Sequence, residues 1–196
     1  MTSGDKKPKP ALGFFTVIEQ PECGLFGGYL VLNSAGRPLE FQCTTPIRPS
    51  RAQQILFGPT LEPYLFGEQI GQTLLGKSRI RPRLVCTDRR PALAVREFVD
   101  FPVVLVLPQD LNSTSPETSD PKGGGRAVWR IDDAHPGNEP LMAFIWGRHR
   151  LAVAQSADED RQRVATNMAD WDDAFDLAEP FGRIREAIEE ARRGGQ

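Results

Sequence analysis

The sequence predicts an α+β fold: a mixed sheet that starts as an N-terminal β-meander, continues as a βαβ unit, and is followed by a C-terminal helical segment. Three observations carry this. Two strand-like runs, 28–33 and 38–44, flank Ser34-Ala35-Gly36-Arg37, with glycine where a tight hairpin needs positive φ. Two short apolar runs, 84–87 and 103–107, bracket a helical pattern at 91–99, as in a parallel pair with a crossover. From Ser156 onward, apolar residues recur at helical spacing.

Phe14 to Glu19 is rich in β-formers and stops at Pro21, which predicts a first strand. In the second hairpin arm Leu39, Phe41 and Cys43 alternate with Glu40, Gln42 and Thr44, which predicts one buried and one wet face. Ser50 is the expected N-cap of a helix at 51–57, which Gly58-Pro59 breaks. Thr60 should cap the next helix, with Leu61, Tyr64, Leu65, Ile70, Leu74 and Leu75 as its apolar stripe and Gly76 as its stop. Gly67 and Gly71 lie one turn apart, spacing that would let this helix approach a sheet closely. Strands are predicted again at 127–131, 141–146 and 151–154. Ser156 with Glu159 reads as a capping box, and residues 180–193 as a final helix.

These elements divide the chain into a disordered tail (1–11), an α/β core (12–109), a Ser-, Thr- and Gly-rich linker (110–126), and a hairpin with helices (127–196) packed on the same domain. At 196 residues and 39% hydrophobic content, one core suffices to bury roughly 70% of the unfolded chain's surface. No apolar run approaches the roughly 20 residues of a membrane span, so no membrane partner is expected. The basic N-terminal stretch has no apolar run behind it. With three cysteines at spacings that frame no disulfides, this predicts a cytoplasmic protein.

Charge is unevenly distributed. Residues 37–96 hold ten basic against four acidic side chains, and residues 97–196 hold eleven against nineteen. Lys77, Arg79, Arg81 and Arg83, followed by Arg89 and Arg90, form the tightest basic run. Arg79, Arg81 and Arg83 are spaced to project from one side of an extended chain, so these five arginines are the candidate anion- or partner-binding residues. Nucleic acid or an acidic protein surface would suit them. So would the acidic C-terminal third of the same chain.

Catalytic patterns are sparse. No C-x-x-C pair accompanies His135 and His149, and no phosphate loop precedes a helix. Cys43 and Cys86 fall on the apolar phase of strands, where cysteine behaves as a small hydrophobe. Trp129, Trp146 and Trp171 read as core. The acidic run Asp170, Asp172, Asp173 and Asp176 lacks the glycine and terminal glutamate of a calcium loop and reads as a solvated or helix-N-terminal face.

The order of elements (three strands, helix, strand, helix, strand) resembles ribonuclease H-like domains in architecture. That resemblance implies carboxylates on the first strand, on the first helix and at the end of the fourth strand, holding divalent metal for phosphodiester chemistry. The corresponding residues are Glu19, Glu68 and Asp88, with Mg2+ as the implied cofactor. Against it, Arg51 and Gln53 stand in the helix where an early acid is implied. The leading expectation is therefore a non-catalytic binding or assembly module of an intracellular complex, without cofactor, joined to a protein partner or to itself. A metal-dependent nuclease or phosphodiesterase is the alternative.

Overall fold

Strand β1 (Ala11–Gln20) organises the sheet, because its residues from Ala11 to Val17 are all buried. Successive side chains point to opposite faces, so Phe14 and Phe15, both fully buried, anchor two different layers. The computed structural model describes residues 10–109, 128–132, 139–172 and 174–194. On one side β1 pairs antiparallel with β2 (Gly24–Asn33), which pairs antiparallel with β3 (Pro38–Cys43). On its other side it runs parallel to β4 (Leu84–Thr87), and β4 parallel to β5 (Val103–Val106). β8 (His149–Ala154), β7 (Leu141–Trp146) and β6 (Val128–Ile131) complete the antiparallel half, in the order β3-β2-β1-β4-β5-β8-β7-β6. The hairpin and the 84–107 unit therefore share one mixed sheet, as the sequence predicts.

One face of the sheet packs Phe15, Val17, Val31, Val85 and Val103 against Leu65, Phe66, Ile70 and Leu74 and against Ala92 and Val95. The other packs Phe14, Leu30, Cys86 and Val104 against Val164 of α4 (Asp160–Asn167) and Phe181, Ile184 and Ile188 of α5 (Glu179–Arg193). The Phe14 and Phe181 rings meet edge to face at 5.8 Å. Gly27 and Gly28 let both layers close on the sheet. A Cβ on Gly27 would lie 2.1 Å from Ile70 Cγ2, and one on Gly28 2.2 Å from Ile184 Cγ2. The hairpin turn is held by Asn33, whose Oδ1 accepts the backbone N–H of Ala35 and of Arg37 at 3.0 Å, with Gly36 at φ 71°.

Several expectations need correction. β3 exposes Leu39, Phe41 and Cys43 and half-buries Glu40 and Gln42, the reverse of the predicted phase. Phe41 does lie abreast of buried Leu30, but β3 is the sheet's edge, and α5 packs against β1 and β2 rather than over it. Glu40 turns to the other face, where Ser78 Oγ and the N–H groups of Arg79 and Ile80 donate to its carboxylate. Burial works against the charged form there, but those bonds and one from Gln42 hold the Glu40 carboxyl below its ordinary value.

Ser50 does cap α1 (Arg51–Phe57), with a full capping box to Gln53. Thr60 caps nothing through its side chain. The run beyond it is α2 (Leu61–Pro63), a π-helix at Tyr64–Gln72, and α3 (Thr73–Lys77). The predicted helix at 91–99 is a 3-10 segment, Arg90–Phe98. Gly67 and Gly71 press against Ala94 and Val95 of that segment, not against a strand. Ser156 forms no capping box; its N–H and hydroxyl both donate to the Glu139 carboxylate. Ala11 belongs to β1 rather than to the predicted tail. Residues 1–9 of that tail, and all of 110–126, lie outside the described residues. Trp146 and Trp171 are buried and Trp129 half-buried beneath the Arg150 guanidinium. Among the described residues no helix is long and apolar enough to cross a membrane.

Candidate functional site at the carboxyl end of β4

The parallel register sets Leu12 to Phe15 abreast of Leu84 to Thr87, so the next residues, Thr16 and Asp88, come together where β4 ends. Thr16 is fully buried, and its hydroxyl donates to Asp88 Oδ1 at 2.6 Å. The other carboxylate oxygen pairs with Arg185, which α5 delivers beside Phe181 and Ile184. Asp88 is thus closed on two sides by its own chain, with its side chain 18% exposed.

The other two predicted carboxylates lie elsewhere. Glu19 is three residues beyond Thr16 on β1, in phase with Phe15 and Val17, and exposed. An odd offset on a strand means the opposite face, so Glu19 and Asp88 diverge across the sheet. Glu68 is exposed on the π-helix. In an α-helix it would follow Leu65 by nearly one turn; with hydrogen bonds from i to i+5, Leu65 and Ile70 share the buried side instead, and Glu68 turns to solvent. Among the described residues no group of three His, Cys, Asp or Glu side chains is placed to hold a metal ion. The residues that the ribonuclease H-like resemblance implies do not fit a shared Mg2+.

The five arginines are likewise distributed. Arg79, Arg81 and Arg83 are exposed, with Ile80 half-buried and Pro82 buried between them, the alternation the sequence predicts. Arg81 pairs with Asp100, a hydrogen bond that holds the Asp100 carboxyl below its ordinary value. Arg83 pairs with Asp170 and so takes part of the acidic run onto itself. Arg89 Nε donates to the Val17 carbonyl at 2.9 Å, and Arg90 Nη2 to the Glu139 carbonyl at 2.7 Å. Arg79 keeps an exposed guanidinium with no ion pair among the described residues; its backbone N–H is bound by Glu40. A cavity of about 430 Å3 opens beside Arg90 and Arg96, between the 90–98 segment and the ends of β7 and β8, away from Asp88.

Sequence reasoning missed two groups. Thr16 and Arg185 stand 72 and 97 residues from Asp88, and only the parallel register could have matched Thr16 to it. Asp160 is the only fully buried carboxylate among the described residues, and it binds both Arg96 and Arg163. Arg96 Nη1 also donates to Val99 O at 2.9 Å and Arg163 Nη2 to Asp100 O at 2.7 Å, so this cluster ties the 90–100 segment to α4. The hydrogen bond to Asp160 pushes the Arg96 guanidinium further up.

No protein-family model matches the chain, and no curated protein matches it. Among solved structures it is similar to a point variant of Ciona intestinalis endonuclease V in complex with a 23mer DNA containing an inosine followed by a ribo-adenosine. The TM-score is 0.45 at 13% identity, over 92% of this chain and 86% of that one. A second structure of Ciona intestinalis endonuclease V, in complex with a 24mer DNA, gives 0.43 at 14% identity, over 93% and 87%. Human ENDOV gives 0.43 at 11%, over 96% and 87%. A likeness of this size assigns no residue of this chain a role.

Proposed function

We propose that this chain is a non-catalytic protein-binding or assembly module that uses its sheet as a scaffold. The observation that supports this reading is the occupation of Asp88, the best placed of the predicted catalytic carboxylates: Thr16 and Arg185 take up both of its oxygens. An ion pair to the helix that covers β1 and β2 is a structural use of that acid. Charges of the basic middle and the acidic C-terminal third pair in the same way inside the chain, at Arg83 with Asp170 and at Arg96 with Asp160.

What remains for a partner includes exposed apolar side chains. Leu39 and Phe41 are exposed on β3, and Ile55 and Leu56, 65% and 81% exposed, project from α1, a helix with no buried residue. The test is a cleavage assay on single- and double-stranded oligonucleotides with Mg2+ or Mn2+, run on the native chain and on Asp88→Asn. Absence of metal-dependent cleavage is the expected result. Cleavage that is lost in Asp88→Asn would establish the nuclease alternative in its place.

A further inference from the structure

Strand β3 is an edge of the sheet, and among the described residues none pairs with its outer backbone. Thr44 donates its N–H to the Gly27 carbonyl at 3.0 Å. In an antiparallel ladder alternate residues turn their backbone groups toward the same neighbour. Gln42 and Glu40 therefore belong with Thr44 on the inner side, and Phe41 and Cys43 send their N–H and C=O groups outward. Edge strands are ordinarily blunted by lysine, proline or short length. Between Leu39 and Cys43 the one charge is Glu40, and its carboxylate is bound to residues 78–80. The opposite edge, β6, is only four residues long, and its Arg130 pairs with Asp132. Blunting of β3 is confined to its start, where Pro38 stands and a register shift at Leu39 leaves Leu32 opposite Pro38 and Val31 opposite Glu40. It confines straight pairing to the stretch from Glu40 onward.

We propose that this edge pairs with β3 of a second copy of the chain, antiparallel about a two-fold axis through Phe41. This deepens the binding-module reading and rests on it. The strand complements itself in that register. Phe41 meets its own copy and can exchange both outward hydrogen bonds with it. Glu40 stands opposite Gln42 on each side, so a carboxylate meets an amide rather than a like charge. Leu39 of one copy and Cys43 of the other are the next neighbours at each end of that stretch and carry the apolar row past Phe41. An axis through Glu40 would set that carboxylate against its copy and would use backbone groups already committed to β2. A closed two-fold pairing also removes this edge from further association.

Sedimentation velocity over a concentration series tests the proposal. The native chain should run as a monomer–dimer equilibrium, and Phe41→Glu, folded by circular dichroism, should weaken the dimer at least about tenfold. Gln72→Ala, exposed on the π-helix, should leave the equilibrium unchanged. In a Leu39→Cys variant, mild oxidation should give a covalent dimer through the native Cys43, which does not depend on Phe41→Glu folding. A native chain that stays monomeric at high micromolar concentration, or a dimer that survives Phe41→Glu and is never trapped by Leu39→Cys, overturns self-pairing. Failure of the module reading shows separately, in the Asp88-dependent cleavage assay.

Discussion

Substitution of Gly28 by alanine probes how closely α5 is seated. The new Cβ would lie 2.2 Å from Ile184 Cγ2 and 2.9 Å from Ile188 Cδ1, against an optimal carbon–carbon separation of about 3.5–4.0 Å. Neither neighbour is a loose chain end. Ile184 is fully buried and Ile188 nearly so, and both are β-branched and stiff at χ1. The helix must therefore shift by roughly an ångström. Overpacking of this kind costs about 1–3 kcal/mol. Replacing glycine within a strand returns about 0.5–1 kcal/mol in backbone entropy, so the net loss is about 0–2.5 kcal/mol. Ile184→Ala alone removes the clashing methyl and leaves a cavity, costing about 2–5 kcal/mol. Combined, the alanine at 28 occupies space that the alanine at 184 vacates. The double variant should be more stable than the sum of the singles by about 1–3 kcal/mol. Urea denaturation of all four proteins in one buffer measures this cycle. Additivity within about 0.5 kcal/mol would refute the close seating of α5 on β2.

Asp160→Ala should cost about 3–5 kcal/mol in the same assay, because Arg96 and Arg163 lose their shared partner in a partly buried site; Asp160→Asn, which keeps one acceptor oxygen and the side-chain volume, should cost less. Glu40 predicts an acid-sensitive contribution. Its folded value lies below the ordinary 4.5, so the stabilisation is present above pH 4.5 and is lost as pH falls through the lower folded value. Melting curves from pH 7 to pH 3 should therefore fall more steeply for the native chain than for Glu40→Gln. Thiol labelling of the native protein should modify exposed Cys43 and spare Cys86, which is fully buried and whose thiol burial pushes up, until denaturant is added. Labelling of Cys86 at the rate of Cys43 would contradict its place in the core.

Where hydrogen bonding is local, the sequence was readable. The hairpin, β4 and the final helix came from turn chemistry and apolar runs within a few residues. β3 was misread because alternation identifies two faces but not an edge, and being an edge depends on where α5 comes to rest. Glu68, the helix carboxylate that the resemblance implies, faces solvent because the backbone runs at i to i+5 there, which no residue pattern nearby announces. At the site, the position of Asp88 at the end of a strand was legible. That a threonine and an arginine occupy it was not, since neither is near it in the chain.

The double burial of β1 has a consequence for synthesis. The helix that covers Phe14, with Phe181, Ile184 and Ile188, is made some 170 residues after it. At about 5–20 residues per second this is a delay on the order of ten to thirty seconds. Through that interval the nascent chain holds an apolar strand and a partnerless β2 face in water. A chaperone that grips extended apolar segments has its natural target here, and stalling before residue 179 leaves a species prone to aggregate.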